Sequence, residues 1–248
     1  MNIAPQSSDP RVADLVRAGR LRVGMFPPQC TRDPKTGELR GVWLEVVRAL
    51  GAQIGIEVVV IELPTPARMV ECLAAGGCDI GSLGFDPARA ALVGGFSPPF
   101  MRVDYTYLVP AASPCRGVAD VDRPGVRVAA VRDHASTLAL GRVLKHAKQV
   151  DAESPDQAFE LLRGGSADAW ATIRPTALDY AGRWSGSRVL PGSYGANLPA
   201  LVVAKGQSAR LSYIGEFIER AKASGIVQRA IDRAAQPGYQ VAREESQA

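Results

Sequence analysis

The sequence from Asp79 to Phe100, DIGSLGFDPARAALVGGFSPPF, is the most informative part of this chain. It begins as a short buried strand and continues through small residues that predict a turn. Asp86 before Pro87 then suits the N-cap and first position of a helical turn, which carries Arg89. Free backbone N–H groups at such a turn, with a guanidinium close by, favour the binding of a carboxylate. The stretch therefore predicts an anion-binding turn at the carboxyl end of a strand.

The segments on both sides of this stretch follow one repeated order of strand and helix. Apolar patterning before it predicts strands at 21–25 and 57–63 and helices at 43–54 and 66–75. The second of these strands is dense in Val and Ile, which favours burial on both faces. A strand-like segment then follows at 105–110, with turn residues after it.

The order then restarts further along the chain. The patterning predicts strands at 126–131, 149–151, 168–172 and 188–190, with helices at 136–147, 155–163 and 176–184. Ser154-Pro155-Asp156-Gln157 predicts a capping box with Pro at the first helical position. An extended run at 199–204 and two amphipathic helices, stopped by Gly225 and Pro237-Gly238, complete the pattern.

Two β-α-β-α-β units with short connections indicate parallel sheets covered by helices. A chain of 248 residues can form two such lobes or one continuous doubly wound sheet. We expect two lobes, with the C-terminal helices returning to the first.

Composition excludes several classes of function. The net charge is +4, from 29 basic and 25 acidic residues, and the basic residues are scattered without the aromatic-flanked stripe typical of nucleic-acid binding. No apolar run approaches the roughly 18–20 residues of a membrane span. His134 and His146 are the two histidines, so we expect no His-based metal site. The sequence contains no G-x-G-x-x-G or Walker A motif, and we expect no cofactor. The N-terminus MNIAPQSSDP lacks the features of a signal peptide, which was either removed or never present.

Four cysteines are present, and their spacing matches no zinc pattern. Cys72 and Cys78 flank a Gly-Gly at a helix end, where a disulfide is conceivable. We expect instead that Cys30, Cys72, Cys78 and Cys115 are small buried thiols.

The stretch described first resembles the first-lobe signature of bacterial periplasmic solute-binding proteins that serve polar-amino-acid ABC transporters. The resemblance is carried by Asp79-Ile80, the small residues that follow, Arg89 and Phe96-Ser97-Pro98-Pro99-Phe100, and it extends from about Gly19 to Ala235. It implies a two-lobed α/β fold of the periplasmic-binding-protein type (type II), in which two hinge segments join lobes that each hold a mainly parallel sheet flanked by helices. Lobe 1 would comprise 1–105 and 203–248, lobe 2 would comprise 106–202, and the hinges would lie near 105–108 and 198–203.

Ligands of open α/β sheets bind where strands end in loops that lead into helices. The predicted ligand-binding residues of the first lobe are Phe26, Trp43, Ser82, Gly84, Phe85, Asp86 and Arg89. Those of the second lobe are His134, Ser136, Thr137, Thr172 and Arg174. Arg89 is expected to anchor a carboxylate, and Phe26 and Trp43 to form apolar walls or to belong to the core. The resemblance implies that Ser136 and Thr137 donate to the ligand from the second lobe.

The segment Asp168-Ala-Trp-Ala-Thr-Ile-Arg-Pro175 departs from the family pattern. Members that bind α-amino acids carry an Asp at the position of Ile173, where it accepts the ligand's ammonium. Because a buried cation needs a charge partner, we expect a ligand without that ammonium, such as a carboxylate or dicarboxylate paired with Arg89 and Arg174.

The resemblance implies a non-enzymatic, monomeric, periplasmic protein that binds a small anionic or zwitterionic solute and delivers it to an ABC transporter permease. Two alternatives remain open. The first is an enzyme on the same scaffold, resembling the cyclohexadienyl dehydratases, and the second is a sensory ligand-binding module.

Overall fold

A computed structural model describes residues 7–26, 29–33, 35–84, 90–132, 134–234 and 237–243 of the chain. The described residues divide into two compact units. Unit 1 takes those within Met1–Met101, Leu198–Ala235 and Gln240–Ala248, and unit 2 those within Arg102–Asn197 and Gln236–Tyr239.

The helices and strands alternate along the chain. The first part contains α1 (Ala13–Ala18), β1 (Arg20–Met25), β2 (Thr31–Arg32), β3 (Leu39–Arg40), α2 (Val42–Ile54), β4 (Glu57–Glu62), α3 (Pro66–Ala74) and β5 (Ile80–Gly84). The middle part contains β6 (Met101–Pro110), β7 (Arg127–Val131), α4 (Ala135–Val143), β8 (Lys148–Ala152), α5 (Pro155–Arg163), β9 (Ala169–Ile173), α6 (Arg174–Arg183), β10 (Ser187–Val189) and β11 (Gly195–Asn197). The last part contains β12 (Pro199–Val202), α7 (Ser208–Ala223), α8 (Ile226–Ala234) and β13 (Tyr239–Val241).

Each unit has parallel strands at the centre of its sheet. The four-stranded sheet of unit 1 has the order β12–β5–β1–β4, with β1 parallel to β4 and β5 and with β12 antiparallel to β5. The second sheet has the order β10–β6–β9–β7–β8, and β7 is parallel to β8 and β9. Strand β6 is antiparallel to β9 and also pairs with β11 and β13. The predicted two-lobed α/β class is therefore confirmed.

Helices cover both faces of the unit 2 sheet. Phe159 of α5 and Tyr180 of α6 pack with Trp170 of β9 on one face. Leu140 of α4 packs with Tyr107 of β6 on the other. No helix in the described ranges is long and apolar enough to cross a membrane.

The helices before β5 and β9 begin in the same way. The Thr65 hydroxyl accepts the N–H of Arg68 at 3.3 Å, and the Ser154 hydroxyl accepts the N–H of Gln157 at 3.2 Å. Proline occupies the first turn of both helices. The N-cap predicted at Ser154 is confirmed, although the Gln157 side chain accepts the N–H of Glu153 rather than that of Ser154.

An Arg–Asp pair joins the amino ends of the first and third parallel strands in each unit. In unit 1 the Asp79 carboxylate accepts the Arg22 backbone N–H at 2.8 Å and the Arg22 guanidinium at 2.7 Å. In unit 2 Asp168 accepts the backbone N–H and the guanidinium of Arg127, both at 2.8 Å. Burial raises the pKa of Asp79, but the hydrogen bonds from Arg22 outweigh it, and the pKa lies below its ordinary value. We call these two pairs the strand clamps.

Two expectations about strands were wrong. The small residues after Ile80 belong to strand β5 rather than to a turn. They are small because a Cβ on Gly81 would lie 2.2 Å from the Met69 sulfur, and because the buried Ser82 hydroxyl donates to the Ala200 carbonyl at 3.1 Å. Strand β4 is a half-buried edge strand, not one buried on both faces, because β1 is its neighbour on one side and no described strand pairs with its other side.

The expectation of four free thiols was also wrong. A disulfide joins Cys72 in α3 to Cys78, and the Cα atoms are 5.6 Å apart. This pairing is possible because Gly76 and Gly77 reverse the chain between them, and Gly76 has a φ of 69°. Cys30 and Cys115 are free and buried, as expected.

The strand clamps are expected to differ in their contribution to stability. Asp79→Asn should lower the free energy of unfolding by about 2 kcal/mol, because the Asp79 side chain is only 12% exposed and accepts charged hydrogen bonds. Asp168→Asn should cost less than about 1 kcal/mol, because its side chain is 44% exposed. Urea unfolding at pH 7 measures both, and equal losses would contradict the expectation.

The Asp79 clamp also gives a pH dependence. Folding lowers the pKa of the Asp79 carboxyl. The clamp therefore contributes fully to the free energy of unfolding above the ordinary pKa of 3.8, and this contribution is lost as the pH falls through the lower pKa of the folded state. The stability difference between the unaltered protein and Asp79→Asn should therefore shrink at acidic pH.

The disulfide is expected to contribute about 2 kcal/mol, because it closes a short loop in the unfolded chain. Cys72→Ala/Cys78→Ala should show this loss in urea unfolding, and a dithiol reductant should destabilise the unaltered protein but not the double variant. Equal sensitivity of the two proteins to the reductant would show that Cys72 and Cys78 are not bonded.

Candidate functional site

The unit 1 candidates lie near the carboxyl ends of β1 and β5. Phe26 follows β1, is half-buried and packs against the cluster around Met69. Trp43 lies in the first turn of α2 and is buried. Gly84 ends β5, where it pairs with Pro199, and Ser82 lies one pleat earlier without solvent exposure. Of these four residues, Phe26 and Gly84 are partly exposed.

The remaining unit 1 predictions, Phe85, Asp86 and Arg89, lie outside the described residues. The adjacent loop after β1 is tied to β5 by the buried Gln29, whose side-chain amide donates to the Ser82 carbonyl at 2.8 Å. The Gln29 backbone N–H also donates to the Phe26 carbonyl at 2.8 Å. Gln29 therefore fixes the loop that carries Phe26 against the strand that leads to the predicted anion site.

The unit 2 candidates His134, Ser136 and Thr137 lie together at the start of α4. His134 is the exposed N-cap, and its carbonyl accepts the backbone N–H groups of Thr137 and Leu138. The Thr137 hydroxyl donates to the Val131 carbonyl at 2.6 Å, which fixes the start of α4 to the end of β7. The first N–H groups of a helix have no partner four residues earlier within that helix. Because the Thr137 N–H already donates to His134, the N–H groups of Ala135 and Ser136 are the ones suited to an anion.

Tyr194 also contacts this turn, and nothing in the sequence pattern marks it. Its hydroxyl donates to the Ser136 carbonyl at 3.2 Å. Its ring lies 4.8 Å from the Tyr107 ring and 5.8 Å from the Tyr105 ring. Burial raises the pKa of Tyr194 well above its ordinary value, so the hydroxyl stays a protonated donor at alkaline as well as neutral pH.

The two candidates at the end of β9 are placed differently. Thr172 is buried opposite Thr106 of β6. Arg174 begins α6, and its guanidinium donates to the Gly192 carbonyl at 2.5 Å and lies 3.6 Å from the Asp104 carboxylate. Asp104 also accepts from Arg102 at 2.8 Å. The sequence pattern gave no sign of the Asp104–Arg174 pair, in which Arg174 shares one carboxylate with Arg102.

The described residues contain no group of three or more His, Cys, Asp or Glu side chains that could hold a metal ion. What they do provide in unit 2 is a helix start directly after a parallel strand, α4 after β7, and in unit 1 the N-cap of α2, Gly41, which lies against Gln29 in the loop after β1. Carboxyl ends of parallel strands are where α/β sheets bind small ligands. The arrangement therefore suits reversible binding of a small polar molecule.

The fold and these strand ends define the class of two-lobed solute-binding proteins. The chain belongs to the family of bacterial extracellular solute-binding proteins, family 3, whose model matches residues 21–235.

Similar proteins include both sensors and transport proteins. The virulence sensor protein BvgS of Bordetella bronchiseptica (strain ATCC BAA-588 / NCTC 13252 / RB50) is 29% identical over 187 residues, which is 72% of this chain but 14% of that protein. An ancestral cationic amino acid solute-binding protein, also described as a precursor of cyclohexadienyl dehydratase, matches with a TM-score of 0.73 and 25% identity over 90% of this chain and 98% of that chain.

A putative binding component of an ABC transporter from Wolinella succinogenes DSM 1740, complexed with lysine, has the same fold. It matches with a TM-score of 0.72 and 21% identity over 87% of this chain and 95% of that chain. The chain thus spans only a small part of the sensor but nearly all of each binding protein.

Arg174 is expected to stabilise unit 2. Arg174→Gln should lower the free energy of unfolding by about 1–3 kcal/mol, because Asp104 loses a charged partner and two loop carbonyls lose a donor. Arg183→Gln on the same helix is the matched control, and it should cost less than about 1 kcal/mol because its pair with Asp179 is exposed. Equal losses in urea unfolding would mean that the Arg174 contacts contribute no more than a surface pair.

Proposed function

We propose that this protein captures a small polar solute that carries a carboxylate, either an amino acid or a related organic anion, and delivers it to an ABC transporter permease. The observation that carries the proposal is the start of α4, which the Thr137–Val131 hydrogen bond holds at the carboxyl end of β7 in a chain of this family. A helix start of this kind favours a carboxylate through its N–H groups and its dipole.

Capture requires residues from both lobes, because a ligand shifts a conformational equilibrium only through contacts that differ between the two states. We propose Arg89 as the carboxylate anchor of lobe 1, a role that rests on the sequence. Ser136 and Thr137 would bind the solute from lobe 2, with Ser136 as the main donor, since the Thr137 backbone N–H donates to the His134 carbonyl and its hydroxyl donates to the Val131 carbonyl. Phe26 and Trp43 would form apolar walls, and hinge closure would occur about residues 105–108 and 198–203.

The solute is proposed to lack an α-ammonium group. Ile173 ends β9 without a carboxylate, and the nearby Asp104 is shared by Arg102 and Arg174. An ammonium placed here would compete with two guanidinium groups for one carboxylate, so an anion without an ammonium is favoured. We propose binding without catalysis.

The periplasm is the proposed compartment. Disulfides persist in oxidising compartments such as the bacterial periplasm and are rare in the cytosol, and the Cys72–Cys78 bond supports export. We propose that the protein acts there as a monomer.

A sensory module is the second candidate, because BvgS is a sensor protein and its matching segment is 14% of its length. Both candidate functions begin with binding of the solute. They differ in the partner protein that recognises the solute-bound form. Deleting the gene distinguishes them. Loss of uptake of a labelled solute, with the transcriptional response to that solute unchanged, favours transport. Unchanged uptake with loss of the transcriptional response favours sensing.

The proposal predicts ligand-dependent stabilisation. A thermal-shift screen should compare glutarate with L-glutamate and succinate with L-aspartate, since each pair differs by the α-ammonium. A binder present at 100 times its Kd should add about 2.7 kcal/mol to the free energy of unfolding, and we expect the dicarboxylate of a pair to give the larger shift. A larger shift with the amino acid would contradict the proposed ligand class.

Arg89→Ala should abolish that shift. Arg20→Ala is the matched control, because Arg20 is exposed at the amino end of β1, and it should retain the shift. Full affinity in Arg89→Ala would show that the anchor is wrong.

A further inference from the structure

Tyr194 joins the segment that leaves unit 2 to the start of α4. It immediately precedes β11 (Gly195–Asn197), after which the chain passes at Leu198 into unit 1. The Tyr194 backbone N–H donates to the Tyr105 carbonyl at 3.0 Å, and its hydroxyl donates to the Ser136 carbonyl at 3.2 Å. One residue is therefore bonded to both the hinge strand β6 and the first turn of α4.

The next residue packs against the same helix. Gly195 pairs with Tyr105, and a Cβ at Gly195 would lie 3.2 Å from the Tyr105 ring and 3.9 Å from the Cβ of Ala139 in α4. Tyr194 and Gly195 thus place β11 against two successive turns of α4. The absence of a side chain at Gly195 is what permits this close approach.

The start of α4 is held from two directions. The Thr137 hydroxyl and the backbone N–H of His134 donate to the Val131 carbonyl, at 2.6 Å and 3.4 Å, and tie the helix to β7 in the sheet. The Tyr194 hydroxyl ties it to β11, which is continuous with a proposed hinge. A change in the backbone of the hinge can therefore reach the helix start through Tyr194.

We propose that Tyr194 is a positioning residue that couples the hinge segment after β11 to the N–H groups at the start of α4. This inference rests on the proposed function, which assigns those N–H groups to the solute carboxylate. Tyr194 itself does not contact the solute in this scheme. It sets the direction of the first turn of α4 when the hinge adopts its closed conformation.

The alternative is that Tyr194 is only a core aromatic, and a matched variant separates the two. Tyr180 lies in the same unit, its ring packs 4.9 Å from Trp170 on the opposite face of the sheet, and its hydroxyl donates to Asp156 at 2.5 Å. Tyr194→Phe and Tyr180→Phe each remove one hydroxyl and keep the ring. A structural role predicts similar effects, whereas a positioning role predicts effects on α4 and on affinity for Tyr194→Phe alone.

The test uses the full chain with glutarate and L-glutamate as probes. Hydrogen exchange without a probe should be faster in Tyr194→Phe, and unchanged in Tyr180→Phe, at the Thr137 and Leu138 amides, which donate to the His134 carbonyl at the start of α4. Calorimetric titration should show a Kd about five- to tenfold higher in Tyr194→Phe for the probe that binds, as expected for one lost hydrogen bond. The Kd of Tyr180→Phe should stay within about twofold of the unaltered protein.

Equal Kd values for the two variants, or unchanged α4 exchange in Tyr194→Phe, would overturn the inference. A probe that binds the unaltered protein and Tyr194→Phe equally overturns the positioning role while leaving the proposed function intact. If neither probe binds the unaltered protein, the proposed function fails for this ligand class, and the exchange measurement alone decides whether Tyr194 holds the start of α4.

Discussion

The strand clamps join the amino ends of two neighbouring parallel strands in each sheet. In each unit one carboxylate accepts the backbone N–H and the guanidinium of an arginine on the neighbouring strand, Arg22 with Asp79 and Arg127 with Asp168. Such charge-assisted pairs fix direction as well as distance. The clamps hold the amino ends, and because the strands are parallel their carboxyl ends lie together at the opposite edge, where β7 leads into α4.

The two clamps are reinforced to different degrees. In unit 1 the buried Arg210 of α7 donates to the Asp79 carbonyl at 3.1 Å and pairs with Asp14 of α1. The Cys72–Cys78 bond closes the turn just before Asp79. The unit 2 clamp has the Gly165 carbonyl as a further acceptor for Arg127. Burial strengthens electrostatic pairing, so unit 1 has the more firmly fixed strand ends.

The sequence was informative where structure depends on neighbours along the chain. Thr65-Pro66 and Ser154-Pro155 open helices at the same distance before Asp79 and Asp168, and these starts follow from local capping chemistry. Features set by long-range packing were not predictable in this way. The extension of β5 through Gly81 comes with pairing to β1 and β12, and the Cys72–Cys78 pairing depends on how the chain turns between the two cysteines.

The same limit applies to the candidate site. Residues that follow a strand, such as Ser136 and Thr137, can be found from the pattern because strand ends are visible in the sequence. The hydrogen-bond and ion-pair partners of such residues come from distant parts of the chain. Tyr194 donates to the Ser136 carbonyl, and Asp104 pairs with Arg174.

These distant partners also change what charge each helix start presents. At α6 the Arg174 guanidinium lies beside Asp104, which Arg102 also contacts, and it donates to carbonyls of the loop after β10, so protein groups already hold it in place. At α4 the hydroxyls of Thr137 and Tyr194 donate to carbonyls, and neither contact uses a first-turn N–H. Since a helix start attracts an anion through its own N–H groups, α4 is better suited than α6 to receive a carboxylate. These contacts favour the backbone turn that begins α4, to which Tyr194 donates a hydrogen bond, over the Arg174 side chain as the proposed anion contact of unit 2.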